Sequence, residues 1–176
     1  MGIKASIGVS SCLLGQAVRY DGGHKFNQLI QTVLSPAFEL VPICPEVAIG
    51  LGIPRPPIQI VKIANQLHAR GVADPLVDVT QALEQYAHDM AQQLPMIQGY
   101  IFKARSPSCG FQTTPVYNPA GLPVETADGI YAHALLQLMP GLPVIDEERF
   151  ATPTLREAFL TQIENYAALQ KNVEHP

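Results

Sequence analysis

Gly99-Tyr-Ile-Phe102 is a short apolar run, and Lys103-Ala-Arg-Ser-Pro-Ser-Cys109-Gly110 follows it directly. The run is typical of a buried strand, and the proline, two serines and glycine that follow predict a loop. Hydroxyl groups, two cations and a thiol are therefore expected together where a strand ends. In open α/β sheets, ligands bind outside the carboxyl ends of the strands, so this loop is a candidate site.

Two other apolar runs end in the same way. Ile7-Gly-Val-Ser-Ser-Cys12 places a cysteine just after a first strand, predicted over 4–10. Cys44 comes just after a second strand, predicted over 37–43. These are all the cysteines of the chain besides Cys109. If the three strands are parallel neighbours, their carboxyl ends could bring the three thiols close together.

The rest of the chain predicts an α/β fold in one domain over residues 1–176. We expect a mostly parallel sheet of four or five strands, helices on both faces and a small β excursion. Apolar periodicity predicts helices over 24–34, 80–94, 127–138 and about 153–171. Further strands are predicted over 58–63, 98–104 and 142–146, with 66–73 as a hairpin partner and a second hairpin tip at 118–121. Residues 45–57, rich in proline and glycine, predict an ordered loop.

Composition and charge argue against some classes of binding partner. The formal net charge is −4 and the basic residues form no run, which argues against nucleic acid or a membrane surface as partner. No stretch reaches the roughly 18 apolar residues of a membrane span, and the N-terminus lacks the apolar core of a signal peptide. An odd number of cysteines favours free thiols in the cytoplasm. The 47% of apolar residues is compatible with an apolar pocket or with the self-associating face of an oligomer.

The three cysteines allow two interpretations. They form no C-x-x-C pair, so a zinc finger or a thioredoxin-like redox pair is poorly supported. Free cysteine is among the most buried residue types, so three structural thiols are one interpretation. The other follows from their placement in loops, because three thiolates without a fourth suit a metal centre with one open position.

Two acids lie near the cysteine loops. Glu46 follows Cys44 by two residues and is predicted to face the same cleft, where a carboxylate desolvated beside an apolar wall works as a general base. Asp21 lies in the loop after Cys12 and is a candidate substrate contact. The alternatives are a solvated loop carboxylate for Glu46 and a cap of its own turn for Asp21.

Hydroxyl groups and cations complete the candidate set. Ser11, Ser106 and Ser108 flank cysteines, and serines in such turns either contact a ligand or bond to backbone alone. Lys103 and Arg55 could anchor an anionic or carbonyl-bearing ligand. The candidate substrate contacts are Ser11, Asp21, Lys103 and Ser108.

Three motifs, in this order along the chain, resemble the signatures of the thiouracil desulfurase family. The first is Val9-Ser-Ser-Cys12-Leu-Leu-Gly15 with Arg19-Tyr-Asp-Gly22, and the second is Cys44-Pro-Glu46 with Pro54-Arg-Pro-Pro57. The third is the stretch from Lys103 to Gly110 quoted above. The resemblance covers about residues 4–145.

The resemblance implies an enzyme with a [4Fe-4S] cluster that is held by Cys12, Cys44 and Cys109 and has an open fourth iron. That iron binds the sulfur of a thiolated pyrimidine such as 2-thiouracil and takes it as an extra sulfide. Water then replaces the sulfur at the ring carbon, which gives uracil. Glu46 matches the family acid that activates the water or binds a ring N–H, and Ser106 matches a serine that contacts substrate or relays a proton.

Two other functions fit the same residues. One is a non-catalytic iron–sulfur or metal-binding sensor or carrier, and the other is a cysteine hydrolase that pairs Cys109 with a histidine. For the desulfurase, the sequence leaves open whether the substrate is a free base, a nucleoside or a fragment of thiolated tRNA, as in the breakdown of tRNA thionucleosides. The net charge of −4 argues against whole tRNA.

Overall fold

The computed structural model describes residues 4–94 and 96–174, with side chains described up to residue 170. The predicted domain bounds at 1 and 176 lie outside these residues. The strands are β1 Ala5–Ser10, β2 Phe38–Ile43, β3 Ile58–Ile63, β4 Gln66–Gly71, β5 Ile97–Phe102, β6 Thr114–Tyr117, β7 Pro123–Ala127 and β8 Val144–Asp146. The helices are α1 Gln28–Leu34, α2 Pro45–Ala48, α3 Thr80–Gln93, α4 Ile130–Leu138, α5 Glu147–Phe150 and α6 Pro153–Glu174, with a 3₁₀ helix at Ser11–Leu14.

The main sheet has four parallel strands in the order β2-β1-β5-β8. The predicted α/β fold with a mostly parallel sheet is therefore confirmed. Since the strands are parallel, the carboxyl ends of β1, β2 and β5 lie side by side at one edge. The three segments that carry the cysteines leave the sheet at this edge.

Helices cover both faces of the main sheet, as predicted. Successive side chains of β5 point to opposite faces and contact the helices on each side. Tyr100 and Phe102 point into a core cluster with α3 and α4, while Ile101 points into a second cluster with α1 and α6. Gly8 in β1 makes room for this packing, because a Cβ there would lie 2.6 Å from the Tyr100 ring. None of the helices in the described part of the chain is both long and apolar enough to span a membrane.

The β excursion is larger than predicted. It is a second four-stranded sheet in the order β4-β3-β6-β7, in which two antiparallel hairpins are joined by a parallel β3–β6 pair. Both hairpins were expected, with the second tip closed by a bond of 2.9 Å from the Gly121 N–H to the Asn118 carbonyl. Their union into one sheet was not.

Helices α1, α2 and α4 are among the elements that differ from the prediction. Helix α1 begins at Gln28 rather than 24, because the Lys25 and Asn27 N–H groups bond to carbonyls of the 3₁₀ helix and the Asn27 side chain caps α1. The loop over 45–57 opens with the helical turn α2, which has Pro45 at its first position. Helix α4 begins at Ile130 rather than 127, because residue 127 ends β7.

Candidate active site

A cavity of about 310 Å³ lies at the carboxyl edge of the main sheet, within the size range of small-molecule sites. It is formed by the end of β1 and the turn after it, the loop over 18–25, the segment of α2 and Arg55, and the loop after β5. Its walls combine cysteines, serines and charged side chains. The lining residues are Ser10, Ser11, Cys12, Val18, Arg19, Tyr20, Lys25, Ile43, Cys44, Glu46, Arg55, Lys103, Ala104, Arg105, Ser106, Pro107, Ser108 and Cys109.

Each cysteine lies in the segment that follows a parallel strand, as predicted. Cys12 is in the 3₁₀ helix after β1, Cys44 is the N-cap of α2, and Cys109 is in the loop after β5. A bond of 2.8 Å from the Gly110 N–H to the Ser106 carbonyl closes that loop. All three thiols are free and line the same cavity. The fold therefore brings the three predicted ligands together.

Burial raises the pKa of all three thiols. The pKa of Cys12 rises to about 11, although the charges of Lys103 and Arg19 oppose the rise. A charge on Cys44 raises the pKa of both Cys12 and Cys109, so the three sulfur atoms share one electrostatic environment. Metal ligands of this type must be deprotonated, so three thiolates in this cavity require cations to offset burial and mutual repulsion.

An iron–sulfur cluster fits this donor set. Cysteine thiolates are the usual ligands of such clusters, and three of them leave one iron of a [4Fe-4S] cluster without a protein ligand. Within residues 4–94 and 96–170, no three His, Cys, Asp or Glu side chains are arranged to hold a single metal ion. A cluster distributes its ligands over several irons, so thiols too dispersed for one ion are compatible with it.

Glu46 faces the cavity, as predicted, but its surroundings are polar rather than an apolar wall. Its Oε2 accepts a bond of 2.8 Å from the Arg55 Nε, and its Oε1 accepts one of 2.8 Å from the Ser108 hydroxyl. Both partners of the ion pair are buried. Since both carboxylate oxygens are engaged, the side chain is fixed in one orientation at the cavity wall.

Arg55 holds three loops together. Besides Glu46, its guanidinium donates to the Val18 carbonyl at 2.8 Å and to the Gly52 carbonyl at 3.0 Å. The sequence had suggested Arg55 as a ligand anchor, and its role in holding Glu46 was missed. The signal available was its place between prolines at 54 and 56, which fix the backbone from which it extends.

The serines of the third loop form a chain that leads to Glu46. The Ser106 hydroxyl accepts a bond of 3.0 Å from the Cys109 N–H and lies 3.2 Å from the Ser108 hydroxyl. Ser108 in turn donates to Glu46. Ser106 thus supports the loop through backbone contacts, the alternative raised above, and also stands at the start of a hydroxyl–hydroxyl–carboxylate chain.

Comparison with known proteins agrees with this site. A model of the 2-thiouracil desulfurase family matches residues 7–147, a range that includes all three cysteines. The chain belongs to the 2-thiouracil desulfurase family. The uncharacterized protein YbbK of Bacillus subtilis (strain 168) is 32% identical over 111 residues, which cover 58% of this chain and 71% of that protein. The solved structure of a [4Fe-4S]-dependent thiouracil desulfidase, TudS, is 31% identical, with a TM-score of 0.67 over 90% of this chain and 99% of that one.

The resemblance drawn from the three motifs is thus confirmed, and the chain is a member of an enzyme family. The likeness to TudS also confirms the α/β fold class. The matched range ends at Glu147, in the first turn of α5, so α6 lies outside it. Yet α6 buries Phe159 and Ile163 against the main sheet and belongs to the core of this desulfurase-family chain.

Lys103 lines the cavity, but it is already paired. Its ammonium forms an ion pair with Glu147 of α5 and donates to the Ala104 carbonyl at 3.0 Å. Glu147 also accepts from the Ala104 N–H at 2.6 Å. Sequence reasoning missed Glu147, because its only signal is a position just after β8, at the same sheet edge.

Ser10 ends β1 and Ser11 follows it, and both are buried. Ser10 was not among the predicted substrate contacts, and its hydroxyl accepts from the Lys103 N–H at 2.9 Å and so ties β1 to β5. It also lies near enough to Cys109 to bond to its sulfur, which lowers the pKa of that thiol against the effect of burial. Ser11, a predicted substrate contact, is buried at the cavity wall.

Asp21, a predicted substrate contact, lies beside the cavity and is not one of the residues that line it. Its carboxylate is exposed, accepts from the Gly23 N–H at 3.0 Å, and lies 3.4 Å from the Arg19 Nε. The bond from Gly23 and the charge of Arg19 lower the pKa of Asp21. It therefore caps its own turn, which was the alternative interpretation, and its neighbours Arg19 and Tyr20 face the cavity instead.

Proposed function

We propose that this chain is a [4Fe-4S]-dependent desulfurase that converts a thiolated pyrimidine, such as 2-thiouracil, and water into uracil and sulfide. The observation that carries the proposal is the meeting of three free cysteines from three parallel strand ends in one small cavity. Membership of the 2-thiouracil desulfurase family and the likeness to TudS supply the substrate class.

Cys12, Cys44 and Cys109 would hold the cluster. When bound, it supplies a Lewis acid with affinity for soft sulfur at an iron that no protein side chain ligates. The raised pKa values of the three thiols mean that assembly of the cluster would release protons from these side chains.

Glu46 is the proposed general base. Its carboxylate faces the cavity and would take a proton from the water that attacks the ring carbon, or hold a ring N–H of the substrate. Arg55 keeps the carboxylate in place, and Ser108 bonds to its other oxygen. Ser106 and Ser108 would carry a proton between substrate and Glu46, since their hydroxyls lie 3.2 Å apart.

The remaining contacts fit a small neutral ring. Ser11 offers a hydroxyl at the cavity wall, and Lys103, although paired with Glu147, would present its cation to a ring carbonyl of the substrate. A cavity of about 310 Å³ suits a base or nucleoside, and the net charge of −4 disfavours whole tRNA. We place the activity in the cytoplasm, in the breakdown of tRNA thionucleosides.

The test uses protein purified without oxygen. We expect about four irons and four acid-labile sulfides per chain, together with uracil and sulfide formation from 2-thiouracil. Cys109→Ala should lose iron and activity together, whereas Glu46→Gln should keep the iron and lose turnover by roughly 10²- to 10⁴-fold. Glu148→Gln, an exposed carboxylate outside the cavity, is the control.

The same measurements separate the other two functions. A sensor or carrier would contain the cluster and release no sulfide from 2-thiouracil. A cysteine hydrolase would work in metal-free protein and react strongly with an alkylating agent at one thiol. Activity that persists in Cys109→Ala would refute the proposed desulfurase.

A further inference from the structure

One motif of the sequence has no role in the chemistry above. Arg19-Tyr-Asp-Gly22 forms the turn beside the cavity, and Tyr20 is the one aromatic residue among the described residues that line it. Tyr20 is 45% exposed, although aromatic residues bury large areas when they belong to a core. An exposed ring at the wall of a ligand cavity offers a flat apolar surface to a ligand.

The turn holds this ring in place through several contacts. The Tyr20 carbonyl accepts from the Arg55 N–H at 2.9 Å, which fixes the backbone to the loop that also positions Glu46. The Arg19 guanidinium lies 5.4 Å from the centre of the Tyr20 ring, within cation–π range. Asp21 lies 3.4 Å from Arg19 and also accepts from the Gly23 N–H, so it holds Arg19 toward the ring.

We propose that the Tyr20 ring is the surface on which the pyrimidine ring of the substrate stacks, with Arg19 and Asp21 as positioning residues. The proposal rests on the proposed function, because it assumes that the ligand of this cavity is a pyrimidine. Every base has a π face, so an aromatic side chain binds the ring without reading its substituents. The cavity then selects planar thiolated rings over open-chain or saturated thioamides that carry the same N–C=S group.

Phe26 provides a matched comparison within the same loop. Phe26 is 47% exposed, close to the value for Tyr20, but it packs over Gly15 and does not line the cavity. Substitutions of Phe26 and Tyr20 therefore change two similarly exposed aromatic residues. Only the change at Tyr20 should affect a ligand in the cavity.

The experiment measures dissociation constants of uracil and 5,6-dihydrouracil on the cluster-loaded protein, by calorimetry. The two ligands share their ring carbonyl and N–H groups, but dihydrouracil lacks the C5=C6 double bond, so its ring is puckered and offers a smaller, less planar π face. We expect Tyr20→Leu to weaken uracil binding by roughly 5- to 150-fold and to leave dihydrouracil binding within about twofold. Tyr20→Phe should retain the native preference, and Phe26→Leu should change neither constant.

Kinetics give a second readout. In Tyr20→Leu, KM for 2-thiouracil should rise with little change in kcat, because the ring surface binds ground state and transition state alike. Asp21→Asn should weaken uracil binding in the same ligand-specific way, to a smaller extent, since it acts through Arg19. A purely structural role for either residue would instead change both ligands equally.

The outcomes separate this proposal from the proposed function. Equal weakening of uracil and dihydrouracil in Tyr20→Leu, or no weakening of either, overturns the stacking role even if 2-thiouracil is turned over. Loss of the preference for uracil in Tyr20→Leu supports the stacking role of Tyr20, even if the native protein releases no sulfide from 2-thiouracil. The absence of sulfide release would overturn the proposed desulfuration and not the stacking role. Native protein that shows no preference for the planar ring overturns the stacking role.

Discussion

Arg55→Met is the substitution that most directly tests how the site is held. It removes three bonds at once, to Glu46 at 2.8 Å and to the Val18 and Gly52 carbonyls at 2.8 and 3.0 Å. Methionine fills much of the volume of arginine, so packing is largely kept. The change leaves the Glu46 carboxylate buried at the cavity wall without its counter-charge.

The expected size of the effect follows from that burial. Removal of one partner of a buried ion pair costs about 3–5 kcal/mol, because the remaining charge is left uncompensated. For a chain of this length each kcal/mol lowers Tm by about 2–4 °C, so metal-free Arg55→Met should melt roughly 6–20 °C below the native protein. The exposed pair of Arg105 and Glu148 is the control, and Arg105→Met should cost less than about 1 kcal/mol.

A double-mutant cycle isolates the pair. Glu46→Gln alone leaves Arg55 without its counter-charge, but Glu46→Gln combined with Arg55→Met removes both charges. Urea unfolding of the metal-free proteins should therefore show the double variant to be more stable than the sum of the single changes by about 0.5–3 kcal/mol. Additive losses, or a loss in Arg55→Met no larger than in Arg105→Met, would refute the ion pair as the element that holds the loops.

Three further changes probe other contacts. Gly110→Ala should destabilise the protein by about 1–3 kcal/mol and lower its iron content. The added methyl group would overlap the Thr114 side chain and lie 2.7 Å from the Ser106 carbonyl oxygen. Glu147→Gln should cost about 1.5–3 kcal/mol in urea unfolding, since it leaves the Lys103 ammonium without its partner, whereas Glu148→Gln should cost under about 1 kcal/mol. Burial raises the pKa of Asp78, but hydrogen bonds from the hydroxyl and the backbone N–H of Thr80 outweigh this effect and lower the pKa to about 2. The ionised carboxylate of Asp78 thus stabilises the fold above pH 3.8, and this stabilisation is lost as the pH falls toward 2. In Asp78→Asn, the urea midpoint of unfolding should depend less on pH between pH 3.8 and 2 than it does in the native protein.

The main sheet was predictable because its signals are local. Apolar runs such as the one ending at Phe102 fix where buried strands lie, and the turn residues after them fix where each strand ends. The meeting of Cys12, Cys44 and Cys109 then follows from parallel pairing alone. The second sheet was harder to predict from the sequence, because the parallel pairing of Ile60 with Val116 joins two hairpins that are far apart along the chain.

The contacts that hold the side chains of the site were not predictable. Glu46 and Arg55 are nine residues apart, and a loop rich in proline and glycine predicts order without predicting which side chains turn toward each other. Asp21 shows a second limit. Proximity to Cys12 in sequence suggested a substrate contact, but sequence alone did not show that the carboxylate also accepts from the N–H of Gly23 within its own turn.

The three cysteine loops are joined to one another by contacts that need no cluster. Ser10 accepts from the Lys103 N–H and links the first loop to the third, while Ser108 donates to Glu46 and links the third to the second. Arg55 donates to Val18 and links the second to the first. Because each pair of loops is connected, the site is held in shape before iron binds, and a cysteine variant should lose the cluster while it keeps the fold. Loss of activity in such a variant can then be attributed to the missing metal ligand, which is the inference on which the assignment of the three cysteines depends.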